Sequence, residues 1–198
     1  SDLDPIRPDP RYDAMIARLP ELAFSGSARD DGRRQGEWAL VGFRRDRFIL
    51  LGQGDFWLSE QPGVPGSRSW DAALPRICSW VRLRETASGC EFIFANTHFD
   101  HQGVVARVEA AKVLTRELAA IAHGAPLILT GDLHVTEDES AYATLVHPGA
   151  TGPIRWIDAY REVHPGRSPR ERRCPAFNGG GDASRIRSPC HTPRVPAP

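Results

Sequence analysis

Two short stretches of the chain end in side chains of the kind that bind ligands and catalyse reactions. The first is residues 94–101, FANTHFDH, which puts Asn96, His98 and Asp100 at i, i+2 and i+4. Residues two apart in an extended chain share one face, so these polar groups can converge on one ligand at a strand end. The second is residues 127–135, LILTGDLHV, an apolar run ending in Asp132 and His134, again two apart. Strand ends leading into loops are where an α/β scaffold usually carries its catalytic groups. Plainer readings exist for each alone. A His in an N-T-H run is often structural or a surface hydrogen-bonder, and a Gly-Asp pair after a strand is a common turn.

The segment between them decides whether they act together. Across residues 102–123, Val104, Val108, Ala111, Leu114, Leu118 and Ile121 recur at spacings of three and four. That period predicts one amphipathic helix, and Gly124 fits its C-terminal stop. If the flanking strands are parallel, the helix is a right-handed crossover that sets their ends side by side. If they are antiparallel, handedness gives no such argument.

The remaining pattern supplies a frame. Residues 12–19 predict a short helix ended by Pro20, and residues 25–37 a polar, Gly-rich surface loop. Residues 38–44 and 48–51 predict a hairpin turning at 45–47, followed by a short apolar run at 56–59 and a Pro/Gly loop over 61–75. A second hairpin is expected from 77–83 and 91–96, turning at 87–89. Residues 126–130 read as a buried strand and 138–145 as a helix, while 154–163 is a short strand or helix carrying Asp158. Beyond residue 164 the pattern dissolves. Seven of the 17 prolines fall in the last 34 residues, and no amphipathic period survives there.

Composition narrows the class. A chain of 198 residues with 40% apolar content suits one domain with a real core. The formal net charge is zero, so the total charge does not mark a nucleic-acid binder held by counterion release. The distribution is uneven: residues 161–198 hold eight Arg against three acidic residues, a formal +5, leaving −5 on the rest. Cys78, Cys90, Cys174 and Cys190 show no metal-like spacing. They are expected to be incidental thiols, with a Cys78–Cys90 bridge across neighbouring strands as the alternative. No stretch approaches the roughly 18–20 apolar residues of a membrane span, and no secretory signal is visible. The chain begins at Ser1 without Met, which leaves room for a removed leader or first segment and leaves its location open.

Taken as a set, NTHFDHQ, the helix with ARVEAAKVL, and LILTGDLH resemble the signature of the endonuclease/exonuclease/phosphatase family. The family pattern is N-T-H-[LF]-D-H, a helix, then [IV]-[LV]-x-G-D-F-N. The stretch GEWALVGFRRDRFILLGQGDFWLSEQPGVPGSRSWDAALPRICSWVRL is similar to a bacterial branch of the family. DESAYATL, WIDAYREVHPG and PAFNGGGDASRI resemble its later segments, so the likeness runs over roughly residues 29–186.

That resemblance implies an α/β fold, a two-sheet β-sandwich flanked by helices of the deoxyribonuclease-like kind. Residues 1–164 would form a partial domain of this type, and residues 165–198 a mostly irregular C-terminal segment. It implies hydrolysis of a phosphoester, by nuclease or phosphatase chemistry, assisted by Mg²⁺ or Mn²⁺. His98 matches the residue that contacts or protonates the phosphate. Asp132 matches the residue that holds or activates the attacking water, and His134 stands where the family has Asn. Asp132 and His134 are the expected metal-holding pair. Arg76, in the PRIC run, is a further phosphate contact or else an ordinary surface ion pair. Asn96 and Asp100 match substrate-side motif positions that orient the loop. The implied partner is a phosphoester, with nucleic acid among the candidates.

Departures from the pattern matter equally. The family's opening strand and its Gln-Glu pair, whose Glu is the main metal ligand, have no counterpart. Glu21 follows Pro20, and Glu37 lies in a Gly-Glu segment with its own place in the pattern, so neither is read as that ligand. Near the other end the chain reads Arg185-Ile186-Arg187 where the family has R-I-D, and the final Asp and His are missing. A change of reading frame or an altered gene end near residue 186 is the expected cause. The alternative function is therefore a non-catalytic remnant that binds a phosphorylated ligand or a protein.

Overall fold

The computed structural model describes residue 14 and residues 16–146, 153–166 and 186–187. In chain order its elements are β1 (Leu22–Ser25), β2 (Val41–Arg44), β3 (Phe48–Trp57), β4 (Ile77–Glu85), β5 (Glu91–His98), α1 (Val104–Ala122), β6 (Leu127–Asp132), α2 (Ser140–Val146), β7 (Ile157–Asp158), α3 (Ala159–Val163) and β8 (Ile186–Arg187). They make a two-stranded sheet, β1-β2, and a six-stranded sheet in the order β3-β4-β5-β6-β8-β7. The expected β-sandwich with helices outside is the observed architecture.

The hairpin read from residues 77–96 is present, with β4 and β5 antiparallel from Cys78↔Thr97 to Arg84↔Glu91. Strand period divides its residues between two layers. Ile93, Ala95 and Cys78 join the core under α1, together with Leu127 and Leu129 of β6. Val81 and Leu83 face the other way and pack with Val41 and Phe43 of the small sheet, with Phe92 and Phe94 beside them. Asn96 and His98 share the face of Phe92 and Phe94, so both look toward the small-sheet side.

Helix α1 is the crossover that the sequence required. It joins β5 to β6, which run parallel in register from Ile93↔Leu127 to His98↔Asp132. Its inward face keeps most of the predicted one, since Ala111, Leu114 and Leu118 are buried and Val108 and Ile121 pack against the same core; the departure is at the first turn. Val104 and Val105 are 60% and 53% exposed, whereas Ala106, Ala110, Ala111, Leu114, Leu118 and Ala122 are buried. The small residues let the helix lie close on the sheet, and a reading guided by bulky side chains passes over them. Gly103 provides no side-chain cap. Asp71, on the loop before β4, accepts instead from the N–H groups of Val105 (3.2 Å) and Ala106 (2.7 Å), satisfying free donors of the first turn. At the other end, Arg82 donates to the carbonyls of Ile121 and Ala122.

The hairpin expected from residues 38–51 does not form. β2 pairs with β1, from Leu22↔Arg44 to Ser25↔Val41, and β3 pairs with β4. The turn at 45–47 moves the chain from one sheet to the other. The Arg45 N–H bonds to the Glu21 carbonyl, which extends the β1 pairing and leaves β3 for the large sheet.

Cys78 is buried and Cys90 exposed, both as free thiols. They sit at opposite ends of the β4–β5 hairpin, since Cys78 is opposite Thr97, so no bridge joins them. Strand β8 adds residues 186–187 beside β6 and β7. The rest of the expected irregular segment, apart from residues 165–166, lies outside the described residues, as do residues 12, 13 and 15 of the predicted helix at 12–19 and both Cys174 and Cys190; residues 14, 16 and 17 of that helix are helical. Among the described residues no helix is long and apolar enough to cross a membrane.

Candidate functional site

Parallel pairing brings the two polar strand ends together, and one glycine sets how closely. Gly131 has φ +155°, and a Cβ there would lie 2.1 Å from the carbonyl oxygen of Thr97. Only a residue without a side chain lets β6 approach β5 at this point. Asp132 and His98 follow immediately as register partners. Gly131→Ala is therefore expected to destabilise the fold by about 2–4 kcal/mol, since the clash is with backbone. Urea denaturation of the variant checks this; a loss below about 1 kcal/mol would contradict the packing argument.

After Asp132 the chain turns sharply. Asp132 Oδ1 accepts from the His134 N–H at 3.2 Å, a short side-chain-to-backbone turn. His134 has φ +48°, a left-handed conformation that His and Asn adopt more readily than most residues. The turn folds the imidazole back over the strand end. His134 Nε2 lies 2.8 Å from His98 Nε2. Asp132 Oδ2 is 4.0 Å from His98 Nε2, and Asp132 Oδ1 is 3.6 Å from His134 Nδ1. One ligand atom from each of the three residues falls within a 4.8 Å cluster.

Glu37 was not expected here. The Ala28–Trp38 bridge closes the polar loop after β1 and carries Glu37 to the site. Glu37 Oε1 accepts from His98 Nδ1 at 3.2 Å, and its Oε2 accepts from Arg29 Nη1 at 2.6 Å. The His98 hydrogen bond is the main reason that the Glu37 carboxyl is held down at about 2; burial opposes this, and the charges of His98, Arg29 and Arg76 assist it. Glu37 is thus an anion at any pH near neutral. It fixes the proton of His98 on Nδ1 and leaves Nε2 as the atom offered to the cleft.

Arg76 and Asp100 lie behind this front row. Arg76 is 4% exposed and Asp100 1%, so Arg76 is no surface ion pair. Its Nε donates to Asp100 Oδ2 at 3.3 Å, its Nη2 donates to His101 Nδ1 at 2.9 Å, and its buried Nη1 has no partner. Burial lowers the Arg76 pKa from its ordinary value, and the charge of Arg29 acts in the same direction. Asp100 accepts from the N–H groups of Ala73, Leu74, Gln102 and Gly103. His101 completes the cluster, its ring centroid 6.2 Å from that of His134. Burial pushes the His134 imidazole down, with His98, Arg76 and His101 acting alike against Asp132.

Of the sequence-predicted residues, the structure thus brings His98, Asp132 and His134 into direct contact and sets Arg76 next to them. Asp100 is one layer deeper. Asn96 stays inside the sandwich, where Nδ2 donates to the Leu40 carbonyl and Oδ1 accepts from Thr130 Oγ1. Arg29, Glu37 and His101 were missed. His101 stands in the quoted NTHFDH run; Glu37 and Arg29 depend on a loop closure with no local signal.

No family model matches the chain. Solved structures do. An endonuclease/exonuclease/phosphatase family protein from Bacteroides thetaiotaomicron is 40% identical, aligned over 75% of this chain and 53% of its own, with a TM-score of 0.69. The endonuclease/exonuclease/phosphatase of Bacteroides vulgatus is 36% identical over 78% of this chain and 57% of its own, at 0.72. A mannosyl-6-phosphatase of B. thetaiotaomicron is 33% identical over 90% of this chain and 67% of its own, at 0.74. The chain spans little more than half the length of the first two. A shared fold across nine-tenths of these residues, at an identity of one in three, carries the resemblance beyond its motifs: the chain belongs to the endonuclease/exonuclease/phosphatase family.

Proposed function

We propose that this chain hydrolyses phosphoesters with the help of a divalent cation, Mg²⁺ or Mn²⁺, held by Asp132 and His134. The observation that carries this reading is the registered pair His98↔Asp132 at two parallel strand ends, with Arg76 and Glu37 closing around it. The donor set fits a divalent ion, because its candidate ligand atoms already cluster within 4.8 Å. When bound, such an ion neutralises charge on phosphoryl oxygens and makes water more acidic. The remaining work falls to side chains. Asp132, half-exposed, accepts a hydrogen bond from the attacking water and orients it. His98 faces the phosphoryl group with its Nε2 while Glu37 fixes the ring. Arg76, buried behind them, contributes positive charge to the cleft, and charge on the non-bridging oxygens is what this step must stabilise.

Both phosphatase chemistry, as in the name of the mannosyl-6-phosphatase relative, and nuclease chemistry fit such a centre. Hydrolysis of p-nitrophenyl phosphate, a monoester, and of bis-p-nitrophenyl phosphate, a diester, by the purified chain with Mg²⁺ or Mn²⁺ tests the reading; no metal-dependent release of nitrophenol from either would overturn it. The second reading, a non-catalytic protein that binds a phosphorylated ligand, is favoured by Arg187, which stands where the family pattern has Asp. It predicts phosphate-monoester binding by calorimetry without turnover.

His134 bears on the ion directly. Imidazole is a poorer partner for Mg²⁺ than an amide oxygen. His134→Asn is expected to raise Mg²⁺-dependent turnover by roughly tenfold. Unchanged turnover across a Mg²⁺ titration would count against a metal-holding role for residue 134.

A further inference from the structure

We infer that His98, Asp132 and His134 form a site for a borderline transition ion of the Zn²⁺ or Co²⁺ class, in which His98 becomes a ligand and is withdrawn from the phosphate. The inference rests on the divalent site proposed above and concerns which ion that site selects.

Donor chemistry is the first argument. Two imidazole nitrogens and one carboxylate oxygen suit Zn²⁺, Co²⁺ or Ni²⁺, whereas Mg²⁺ seeks an all-oxygen octahedron. Geometry is the second. Tetrahedral Zn²⁺ with bonds of about 2.0–2.1 Å spaces its donors about 3.3–3.4 Å apart. The two Nε2 atoms stand 2.8 Å apart and Asp132 Oδ2 is 4.0 Å from the first of them. Opening the first gap by about half an ångström and closing the second by slightly more matches that spacing, within ordinary side-chain motion, and the ligand atoms already lie within 4.8 Å of one another. Asp132 is half-exposed, which leaves a side open for water or an inhibitor.

The supporting contacts are the third argument. Glu37 accepts from His98 Nδ1 and is itself held by Arg29. A carboxylate on the far nitrogen of an imidazole fixes the tautomer that ligates and raises its basicity. On the other side, the turn accepted by Asp132 Oδ1 holds His134 in its left-handed conformation. A mere hydrogen bond between two imidazoles needs neither of these supports.

The test is direct binding to the metal-free full chain. Titration with Co²⁺ is expected to give visible ligand-field absorption saturating at one equivalent. Zn²⁺ should abolish it, and a large excess of Mg²⁺ should not. Zn²⁺ affinity is then read by competition with a chromophoric chelator. His98→Asn and His134→Asn should each weaken it by about 100-fold or more, and Glu37→Gln by about 10- to 100-fold. His123→Asn, at the exposed far end of α1, should leave it unchanged. Should a variant fail to fold, nitrogen NMR of the wild-type chain replaces it: Zn²⁺ must shift Nε2 of both His98 and His134. Absence of a one-equivalent Co²⁺ band, or wild-type Zn²⁺ affinity in folded His134→Asn, overturns the inference. Zn²⁺ binding through both imidazoles with no hydrolysis under any ion upholds it and removes the hydrolase reading. Mg²⁺-dependent hydrolysis with Zn²⁺ bound no tighter than Mg²⁺ does the reverse.

Discussion

Replacing Asp132 by Ala is expected to lower turnover of bis-p-nitrophenyl phosphate by about 10³-fold or more, with Mg²⁺ or Mn²⁺ supplied. The carboxylate has two tasks in the proposed mechanism: it helps to hold the ion and it orients the nucleophilic water. It also makes the turn that folds His134 over His98, so one truncation disorganises three groups. Groups that act as a unit are far from additive. His98→Ala in the Asp132→Ala background should therefore cost less than about tenfold more, although His98→Ala alone should cost nearly as much as Asp132→Ala. Asp132 is half-exposed and outside the three core clusters, so thermal stability should barely change. A variant that keeps more than about a tenth of wild-type turnover would remove Asp132 from the mechanism.

Asp100 tests the scaffold rather than the chemistry. Burial works against its charge, but N–H groups of Gly103, Gln102, Ala73 and Leu74 outweigh that cost and hold its carboxyl well below the usual carboxylate range. The carboxylate also pairs with buried Arg76. Asp100→Ala leaves a buried guanidinium and several N–H groups without a partner, and should cost about 3–5 kcal/mol. The pH dependence has a definite sign. A carboxyl whose folded pKa is depressed stabilises the fold above its unfolded value, near 3.9, and that stability fades as pH falls toward the folded value. Wild type should thus lose stability below roughly pH 5, and Asp100→Asn should show a flatter acid limb. Urea midpoints at pH 7 and pH 3 measure both effects. Parallel curves for the two proteins would show that Asp100 is not the group responsible.

What could be read from the sequence follows the range over which each signal acts. The β5–α1–β6 unit was legible because its strands and helix each carry their own period, and one crossover fixes their neighbourhood. The meeting of His98 and Asp132 came with it. The pairing of β2 was not legible. Val41–Arg44 alternates buried and exposed, and such alternation suits either neighbour; the choice of β1 is made by the layer in which the strand must lie. On α1, Ala111, Leu114 and Leu118 were legible from their spacing, whereas Ala106, Ala110 and Ala122 were not, because small residues mark no stripe. Glu37 was set aside because its segment has a place of its own in the family pattern. The contact with His98 spans 61 positions of chain, and no local spacing encodes it.

The pairing of Glu37 with His98 also has a mechanical side. Glu37 belongs to the loop between the two strands of the small sheet, and His98 to the rim of the large one. The contact is a rivet driven through both layers, placed at the His98 imidazole. A slip of one layer past the other by about 1 Å would break this contact and free the ring to rotate. A displacement of the loop would thus reach the His98 ring by shear, and through it the proposed hydrolysis, without touching the phosphate.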